Sequence, residues 1–272
     1  MYTQNLKLSS ISLDDVSRLW KENDTIIFLA DLDIYNILSS STLSNSILNN
    51  TSNSTSNNIS NNTLSKNTLS DMLSSNSLNN ALITEYLSSA EKENLEKFQT
   101  LYFKKRFIVS RIILKHILCR ILDKASVPEI STYKKGYGGV YIHNYEGIHI
   151  CISYSENIIS LAISKVRIGI DIEVNRPLKL KNNLRYCQNM SQYYERSYPE
   201  RQQTDVEFLK TWTMKEAYCK YSGKSMLLNL NKEPDASDIY FSNYILDGEY
   251  IFSIAADQKQ YAVNICRLEK IN

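Results

Sequence analysis

Apolar residues recur along the chain with two spacings, one typical of strands and the other typical of helices. Short apolar runs predict strands over residues 24–35, 148–155, 158–165, 167–174, 250–257 and 261–268. Apolar positions three and four residues apart predict helical segments over 88–122 and 205–223. Strands and helices are grouped along the chain, which favours an α+β fold over a doubly wound parallel sheet.

Local signals predict how these elements begin, end and connect. Ser89 is the expected N-cap of the first helix, and Gly223 is expected at the end of the last one. The three runs between 148 and 174 are separated by connections of hairpin length, so consecutive runs are expected to pair. The runs 250–257 and 261–268 are likewise expected to pair with each other.

The segment 39–80 differs in composition from the rest of the chain. Ser, Asn or Thr occupy 31 of its 42 residues, and only Lys66 and Asp71 are charged. Such a segment buries too little apolar surface to offset the entropy lost on ordering. We therefore predict that it is a disordered insertion.

Overall composition excludes some classes of function. The 31 basic and 29 acidic residues give a formal net charge of +2, so the chain has no general attraction for nucleic acid or membranes. No apolar run is long enough to cross a membrane, and residues 1–20 lack the pattern of a signal peptide. The five cysteines form no Cys-x-x-Cys pair. We expect a reduced cytoplasmic protein that recognises ligands through local clusters of charge.

The run 168–173, Ile-Gly-Ile-Asp-Ile-Glu, places two carboxylates in an otherwise apolar strand. Side chains alternate between the faces of a strand, so Asp171 and Glu173 share one face while Ile170 and Ile172 share the other. Neighbouring carboxylates repel each other unless solvent screens them or a cation lies between them. This face is therefore either solvated or part of a metal site.

The helix predicted over 205–223 carries a second group of charged residues. Glu216 and Lys220 are four residues apart on one helical face, and Lys215 adjoins them. Such a pair is common on exposed helices and by itself indicates only a solvated surface. If the helix packs beside the strand end, three carboxylates and two lysines converge. Three oxygen ligands suit Mg²⁺ and the lysines suit phosphoryl oxygens, which indicates phosphate-transfer chemistry.

Together the two segments resemble the signature of the 4′-phosphopantetheinyl transferases, in particular the two-lobed type that activates peptide and polyketide synthases. Residues 169–173 match its first part, Gly-[Ile/Val]-Asp-[Ile/Val]-Glu. Residues 212–223 match its second part, Trp-[Ser/Thr]-x-Lys-Glu-[Ala/Ser]-x-x-Lys-x-x-Gly. The resemblance implies a monomer with two pseudo-symmetric α+β lobes, residues 1–166 and 167–272, and a site at their interface.

The resemblance also implies a reaction. Such enzymes bind coenzyme A with Mg²⁺ on its pyrophosphate, transfer the phosphopantetheine arm to a serine of an apo acyl or peptidyl carrier protein, and release 3′,5′-ADP. Carried over by position, Asp171, Glu173 and Glu216 are the expected metal ligands. Glu216 is also expected to help deprotonate the serine, and Lys220 to stabilise charge on the leaving phosphate.

Further residues are expected, from the same resemblance, to contact coenzyme A. Arg106 is the expected contact of the 3′-phosphate, and Lys92 on the preceding helix is expected to face the nucleotide phosphates. Arg111 occupies another position that is often basic in the family, although a solvated helix residue is equally compatible with the sequence. Lys215 is expected to add a phosphate contact, with a solvent-exposed lysine as the alternative.

Two segments depart from the family pattern. Ser153 and Tyr154, expected to contact coenzyme A, stand in a stretch that usually reads Asn-[Leu/Ile]-Ser-His-Ser, so Tyr154 replaces a histidine and brings no positive charge. Where the family reads Gly-Lys-Pro, residues 138–140 are Gly-Gly-Val, so a phosphate-facing lysine is absent. Lys134 and Lys135 in the same loop are candidates to replace it.

Two other functions are compatible with parts of this pattern. A degenerate relative would bind carrier proteins without efficient transfer; the two departures favour it, whereas the intact Asp171, Glu173, Glu216 and Lys220 argue against it. An unrelated Mg²⁺-dependent phosphotransferase is disfavoured because the chain has no Gly-x-x-x-x-Gly-Lys-[Ser/Thr] loop. Partner contacts are expected in 184–198, which is rich in aromatic residues.

Overall fold

A computed structural model of the chain describes residues 3–32, 85–124, 126–135, 139–177, 205–226, 228–229, 232, 238–257 and 263–269. The predicted insertion at 39–80 and the predicted partner-binding segment at 184–198 lie outside these ranges. The described strands are β1 Thr3–Leu6, β2 Ser9–Ile11, β3 Thr25–Asp31, β4 Thr132–Lys135, β5 Gly139–Ile142, β6 His149–Ser155, β7 Ile158–Ser164, β8 Ile168–Val174, β9 Tyr240–Leu246, β10 Tyr250–Ala256 and β11 Val263–Leu268. The described α-helices are α1 Val16–Glu22, α2 Ser89–Glu96, α3 Leu101–Leu122 and α4 Asp205–Ser222.

The strands form two sheets that the helices cover, which confirms the predicted α+β class. The larger sheet has the order β2-β11-β3-β7-β6-β5-β4, and the smaller has the order β1-β9-β10-β8. Helix α3 packs on the outer face of the larger sheet, and α4 contacts β8 and β10 of the smaller one. Within the described ranges, no helix combines the length and apolarity that a membrane span needs.

Strand β3 shows why its sequence is a continuous apolar run. Ile26 and Phe28 join the core beneath α3, whereas Ile27 and Leu29 join a second core between the two sheets. A strand that is buried on both faces has no polar side, so alternation is lost. Two short strands precede β3, although the sequence predicted it as the first strand.

Two predicted pairings are wrong. Strand β10 pairs with β8 and β9, and β11 lies between β2 and β3, where it runs parallel to both. Strands β6 and β7 form the predicted hairpin, but β8 leaves the larger sheet and pairs with β10 at the edge of the smaller one. Both errors arise because a short connection keeps two consecutive strands close in space but does not determine which sheet the second strand joins.

The predicted helical segment 88–122 consists of two helices, α2 and α3. Its N-cap is Ser88, one residue earlier than predicted, and the Ser88 hydroxyl accepts a hydrogen bond from the backbone N–H of Glu91. The Glu91 carboxylate accepts one from the N–H of Ser88 in return, which completes a capping box. Helix α4 ends as predicted, with Gly223 in the left-handed region at φ +68°.

The two lobes predicted from the resemblance, with a boundary at 166/167, remain a prediction. Strands before that boundary belong to the larger sheet and strands after it to the smaller sheet, except for one strand near each end of the described residues. Strand β1 pairs with β9 in the smaller sheet, and β11 lies within the larger one. Each sheet therefore contains one strand from the other half of the chain.

Candidate active site

Strand β8 and helix α4 lie against each other, and Gly169 permits this close approach. A Cβ atom at Gly169 would lie 2.1 Å from the carbonyl oxygen of Ala217 and 2.5 Å from the amide nitrogen of Tyr221. Any larger side chain would push the helix away from the strand. Gly169 thus brings the motif on β8 next to the motif on α4.

The Asp171 carboxylate is the centre of the contacts between these motifs. It is only 2% exposed, although β8 is an edge strand. Its Oδ1 accepts hydrogen bonds from Nζ of Lys220 at 2.7 Å and from Oγ of Ser153 at 2.6 Å. Lys220 Nζ also lies 2.9 Å from Ser153 Oγ and 3.6 Å from Oε2 of Glu216. Glu216 and Lys220 are therefore part of a partly buried cluster and not of a solvated helix surface.

Serines on β6 donate hydrogen bonds to the carboxylates of β8. Ser155 donates to Oε2 of Glu173 at 2.8 Å and accepts from the N–H of Val174 at 3.0 Å. Sequence reasoning assigned no role to Ser155. The signal was present, because Ser153 and Ser155 are two residues apart in a strand, as Asp171 and Glu173 are.

Burial changes the proton affinity of the groups in this cluster. Burial, reinforced by the carboxylate of Asp171, raises the pKa of Glu216 to about 8, although Lys220 opposes the shift. Burial also raises the pKa of Glu173, against the hydrogen bond from Ser155. For Lys220, burial works in the opposite direction but the charges of Asp171 and Glu216 prevail and raise its pKa above the usual value.

The carboxylate groups of the cluster are suited to binding a cation. Oδ2 of Asp171 is buried and has no hydrogen-bond partner among the described residues. Asp171 and Glu216 share a single ammonium group, and their carboxylate oxygens are ligands that Mg²⁺ prefers. No three His, Cys, Asp or Glu side chains of the described ranges are spaced to hold a metal ion, however. The predicted set of Asp171, Glu173 and Glu216 therefore remains a prediction.

A cavity of about 420 Å³ lies on the other side of β6, between the larger sheet and helices α2 and α3. The residues that line it are mainly basic and aromatic or aliphatic: Asn94, Lys97, Phe98, Phe103, Arg106, Phe107, Arg111, Lys134, Val140, Ile152 and Tyr154. A second cavity of about 60 Å³ is lined by Lys220 and Arg167, and Val140 lines both. The two cavities thus share one wall residue, and the smaller one reaches Lys220 of the carboxylate cluster.

Tyr154 and Arg106, both predicted contacts of coenzyme A, meet in the wall of this cavity. The guanidinium carbon of Arg106 lies 4.2 Å from the ring centroid of Tyr154. The Tyr154 hydroxyl is 2.8 Å from Oγ of Ser110, which fixes the ring against α3. Tyr154 brings no charge of its own, but it holds a cation at the position next to it.

Lys215 is held inside the protein. It is 2% exposed, and its Nζ donates to the backbone carbonyl oxygen of Lys232 at 2.6 Å and to that of Asn229 at 3.5 Å. The solvent-exposed alternative is wrong, because the side chain is buried and anchors the segment after α4. The phosphate contact stays a prediction. Lys92, on α2, is half-buried and does not line the large cavity. Lys97, which follows α2, lines it.

Comparison with known proteins gives a consistent picture. Residues 167–266, which contain both motifs, match the family model described as the 4′-phosphopantetheinyl transferase superfamily. The chain is 26% identical over 177 residues to the 4′-phosphopantetheinyl transferase Sfp of Bacillus subtilis strain 168, covering 59% of this chain and 77% of that protein. It is 23% identical over 134 residues to psf-1 of Bacillus pumilus, and 27% identical over 126 residues to gsp of Aneurinibacillus migulanus. These matches span 57% and 52% of the two relatives, and both are named 4′-phosphopantetheinyl transferases.

The site and the family match together define the class of protein. Residues 167–266 match the 4′-phosphopantetheinyl transferase superfamily, a class of group-transfer enzymes, and the chain is similar to the Sfp type. This match confirms the resemblance seen in residues 169–173 and 212–223.

Proposed function

We propose that this protein transfers the 4′-phosphopantetheine arm of coenzyme A to a serine of an apo acyl or peptidyl carrier protein. The observation that carries the proposal is the meeting of Asp171, Glu216 and Lys220, which come from two separate motifs. On the other side of β6, a cavity has basic and aromatic walls that suit a nucleotide. In the proposal, the nucleotide of coenzyme A occupies this cavity and its pyrophosphate lies at the carboxylate cluster.

In the proposed reaction the serine oxygen forms a bond to the phosphorus that carries the pantetheine arm. The bond from that phosphorus to the oxygen of the second phosphate breaks, and 3′,5′-ADP leaves. Glu216 accepts the serine proton, a role for which its carboxylate lies beside Lys220 in the cluster. Lys220 is protonated at neutral pH, since Asp171 and Glu216 outweigh the effect of burial on its pKa, and it stabilises the charge on the departing phosphate.

A metal ion is part of the proposal. Mg²⁺ held by Asp171, Glu173 and Glu216 would neutralise charge on the pyrophosphate of coenzyme A. The unpartnered Oδ2 of Asp171 and the excess of carboxylate over ammonium groups support this ligand set. Ser153 orients Asp171, and Ser155 orients Glu173.

We further propose that the protein acts as a monomer in the cytoplasm. One chain supplies Ser153, Asp171 and Lys220, so the site needs no second subunit to bring these groups together. Of the five cysteines, the four within the described residues are free thiols, as expected in a reducing compartment.

The proposal is tested by intact-mass spectrometry of an apo carrier protein incubated with this protein, coenzyme A and Mg²⁺. We expect the carrier to gain the mass of one phosphopantetheine arm, and EDTA to abolish the gain. A carrier panel covering acyl and peptidyl types guards against a poor choice of partner. The absence of any gain across that panel would contradict the proposed function.

A further inference from the structure

A row of polar side chains crosses the smaller sheet beneath α4. Ser253 of β10 lies directly opposite Asp171 of β8, and Asn243 of β9 lies directly opposite Ser253 on its other side. Residues that are directly opposite each other project from the same face of a sheet. Ser253 is completely buried and Asn243 is 6% exposed. The row thus begins at the carboxylate cluster and continues into the protein.

The neighbours of Ser253 along its own strand are apolar. Ile251 and Ala255 share its face of β10, and both are completely buried. Phe252 and Ile254, on the other face, belong to the core between the two sheets. A small apolar residue would therefore suit the surroundings of Ser253, and its hydroxyl group needs another explanation.

Thr213 connects α4 to this row of polar side chains. Its hydroxyl oxygen lies 2.6 Å from Oγ of Ser253, and Ser253 donates to Oδ1 of Asn243 at 2.5 Å. Because a hydroxyl group has a single proton, Ser253 accepts the hydrogen bond from Thr213. The carbonyl oxygen of Lys210 is a more distant acceptor for Thr213, at 3.2 Å. Thr213 is completely buried, so water does not compete for these hydrogen bonds.

Two polar contacts, seven residues apart on α4, hold this helix on the sheet. Thr213 and Lys220 are separated by about two turns, or roughly 10 Å, and project from nearly the same side of the helix. Thr213 binds Ser253, and Lys220 binds Asp171, the next residue in the row. Side chains of a helix lean towards its N-terminus, so Lys220 reaches back to this partner. Two such contacts fix both the rotation of α4 and its position along the sheet, which a single contact would not.

We infer that Thr213 and Ser253 are positioning residues, whose hydrogen bond sets α4 on the smaller sheet so that Lys220 meets Asp171. The inference rests on the proposed function for its effect on turnover, since Lys220 stabilises the charge on the departing phosphate. Asn243 orients the Ser253 hydroxyl group by accepting its proton. A buried hydrogen-bonded pair and an apolar pair of the same shape contribute similarly to stability. Loss of this hydrogen bond should therefore reduce turnover much more than it reduces the melting temperature.

The experiment removes the hydroxyl group of Thr213 and keeps the shape of its side chain. In Thr213→Val, Ser253 still donates to Asn243, so this buried donor keeps its acceptor. We expect kcat to fall by about tenfold or more, because a small misplacement of a reacting group is costly. The KM values for coenzyme A and for the carrier protein should stay within about twofold of the wild type. Thr213→Ser keeps the hydroxyl group and should restore kcat.

Thr211→Val is the matched control on the same helix. Thr211 is also buried, at 7% exposed, but its hydroxyl group donates to the backbone carbonyl oxygen of Glu207 within α4, at 3.0 Å. This variant loses a hydroxyl group that makes no contact with Ser253. It should shift the melting temperature about as much as Thr213→Val does, and it should leave kcat unchanged.

A double-mutant cycle tests whether Thr213 acts through Lys220. Lys220→Gln removes the ammonium group, so Thr213→Val should cost less than about threefold in kcat when added to it. The position of Lys220 is also measured without catalysis, by amine labelling and peptide mass spectrometry. Labelling of Lys220 should rise in Thr213→Val but not in Thr211→Val, because the ion pair with Asp171 is weakened. Lys115, 1% exposed on α3, is the internal reference for unfolding of the whole chain.

The outcomes separate this inference from the proposed function. An unchanged kcat in Thr213→Val overturns the positioning role, and so does the same loss of kcat with and without the ammonium group of Lys220. A raised KM with a wild-type kcat also overturns it, because that result assigns Thr213 to substrate binding. If the wild type transfers nothing to any carrier protein, the proposed function fails, and the labelling alone decides the inference. Labelling of Lys220 that stays at the wild-type level in Thr213→Val then overturns it.

Discussion

The ammonium group of Lys220 lies 2.7 Å from Oδ1 of Asp171, and this contact joins two segments of the chain that are distant in sequence. Ser153 donates to the same oxygen, so a third element fixes the carboxylate. The second oxygen of Asp171 is buried and has no hydrogen-bond partner within the described ranges. One oxygen of this carboxylate is thus fixed by two donors, whereas the other is buried close to Glu216.

Replacing either central carboxylate should abolish transfer without unfolding the protein. Asp171→Asn and Glu216→Gln keep the shape of each side chain but remove its charge, and we expect turnover to fall by about a hundredfold or more. The initial rate is measured by intact-mass spectrometry of the carrier, and the fold is checked by circular dichroism. Glu207→Gln is the matched control on α4, because Glu207 pairs with Lys210 at 2.7 Å, away from the cluster. Normal turnover in both central variants would remove the metal site from the proposal.

Adding a methyl group at Gly169 should separate the two motifs. Gly169→Ala places a Cβ atom 2.1 Å from the carbonyl oxygen of Ala217, so α4 must move away from β8. We expect a large loss of turnover, because the distance between Lys220 and Asp171 increases. The loss in the free energy of unfolding should be smaller. Gly248→Ala is the control: Gly248 has φ +76° and open space around it, so alanine there costs about 1 kcal/mol of backbone strain. Equal turnover in the two variants would contradict this account of Gly169.

Lys215 should matter for stability and not for coenzyme A binding. Lys215→Met removes the donor at 2.6 Å from the carbonyl oxygen of Lys232, which should cost about 1–3 kcal/mol in the free energy of unfolding. The dissociation constant for coenzyme A should change little. Lys210→Met on the same helix should hardly affect stability, since its ion pair is only partly buried. If Lys215→Met lost much of its affinity for coenzyme A while its stability stayed unchanged, that result would support the phosphate contact predicted from the sequence.

The ring of Tyr154 should support nucleotide binding through Arg106. Tyr154→Phe keeps the ring beneath the guanidinium group and loses only the hydrogen bond to Ser110, so the affinity for coenzyme A should change little. Tyr154→Ala removes the ring, and we expect the affinity to fall by about threefold to thirtyfold, the range of a cation–π contact. Calorimetry of both variants distinguishes a role of the ring from a role of the hydroxyl. Equal losses in the two variants would assign the effect to the hydroxyl.

Without divalent cations, stability should fall as the pH rises towards 8. The pKa of Glu216 is raised from 4.5 to about 8, so the native protein retains a proton that the unfolded chain has already lost. The free energy of unfolding contributed by this group therefore decreases between about pH 5 and pH 8. Urea denaturation in EDTA should show this slope in the wild type and a smaller one in Glu216→Gln. Mg²⁺ should flatten the slope in the wild type, because a bound cation favours the ionised carboxylate. Equal slopes in the two proteins would mean that Glu216 ionises normally.

The sequence predicted the central residues of the candidate site because their patterns are local. Two-residue alternation placed Asp171 and Glu173 on one face, and four-residue spacing placed Glu216 beside Lys220. The burial of Lys215 could not be predicted, since its acceptors are backbone carbonyl groups of a segment without a pattern. The buried ion pairs of Glu91 with Lys115 and Arg111 were missed although a signal existed. Arg111 and Lys115 are four apart on a largely apolar helix, and buried basic residues require an anion.

The position of β11 in the sheet could not be predicted from the local sequence pattern, because an apolar run of this length is compatible with almost any neighbouring strand. In the structure Ile265 pairs with Ile27, so strands from near opposite ends of the chain lie side by side. This arrangement has a consequence for biosynthesis. Strands β2 and β3 are synthesised before β11, and each lacks this neighbour until β11 has been made. Truncated products that stop before β11 would expose the apolar edges of these strands, so we expect quality control or aggregation, and not a half-active enzyme, to be their fate.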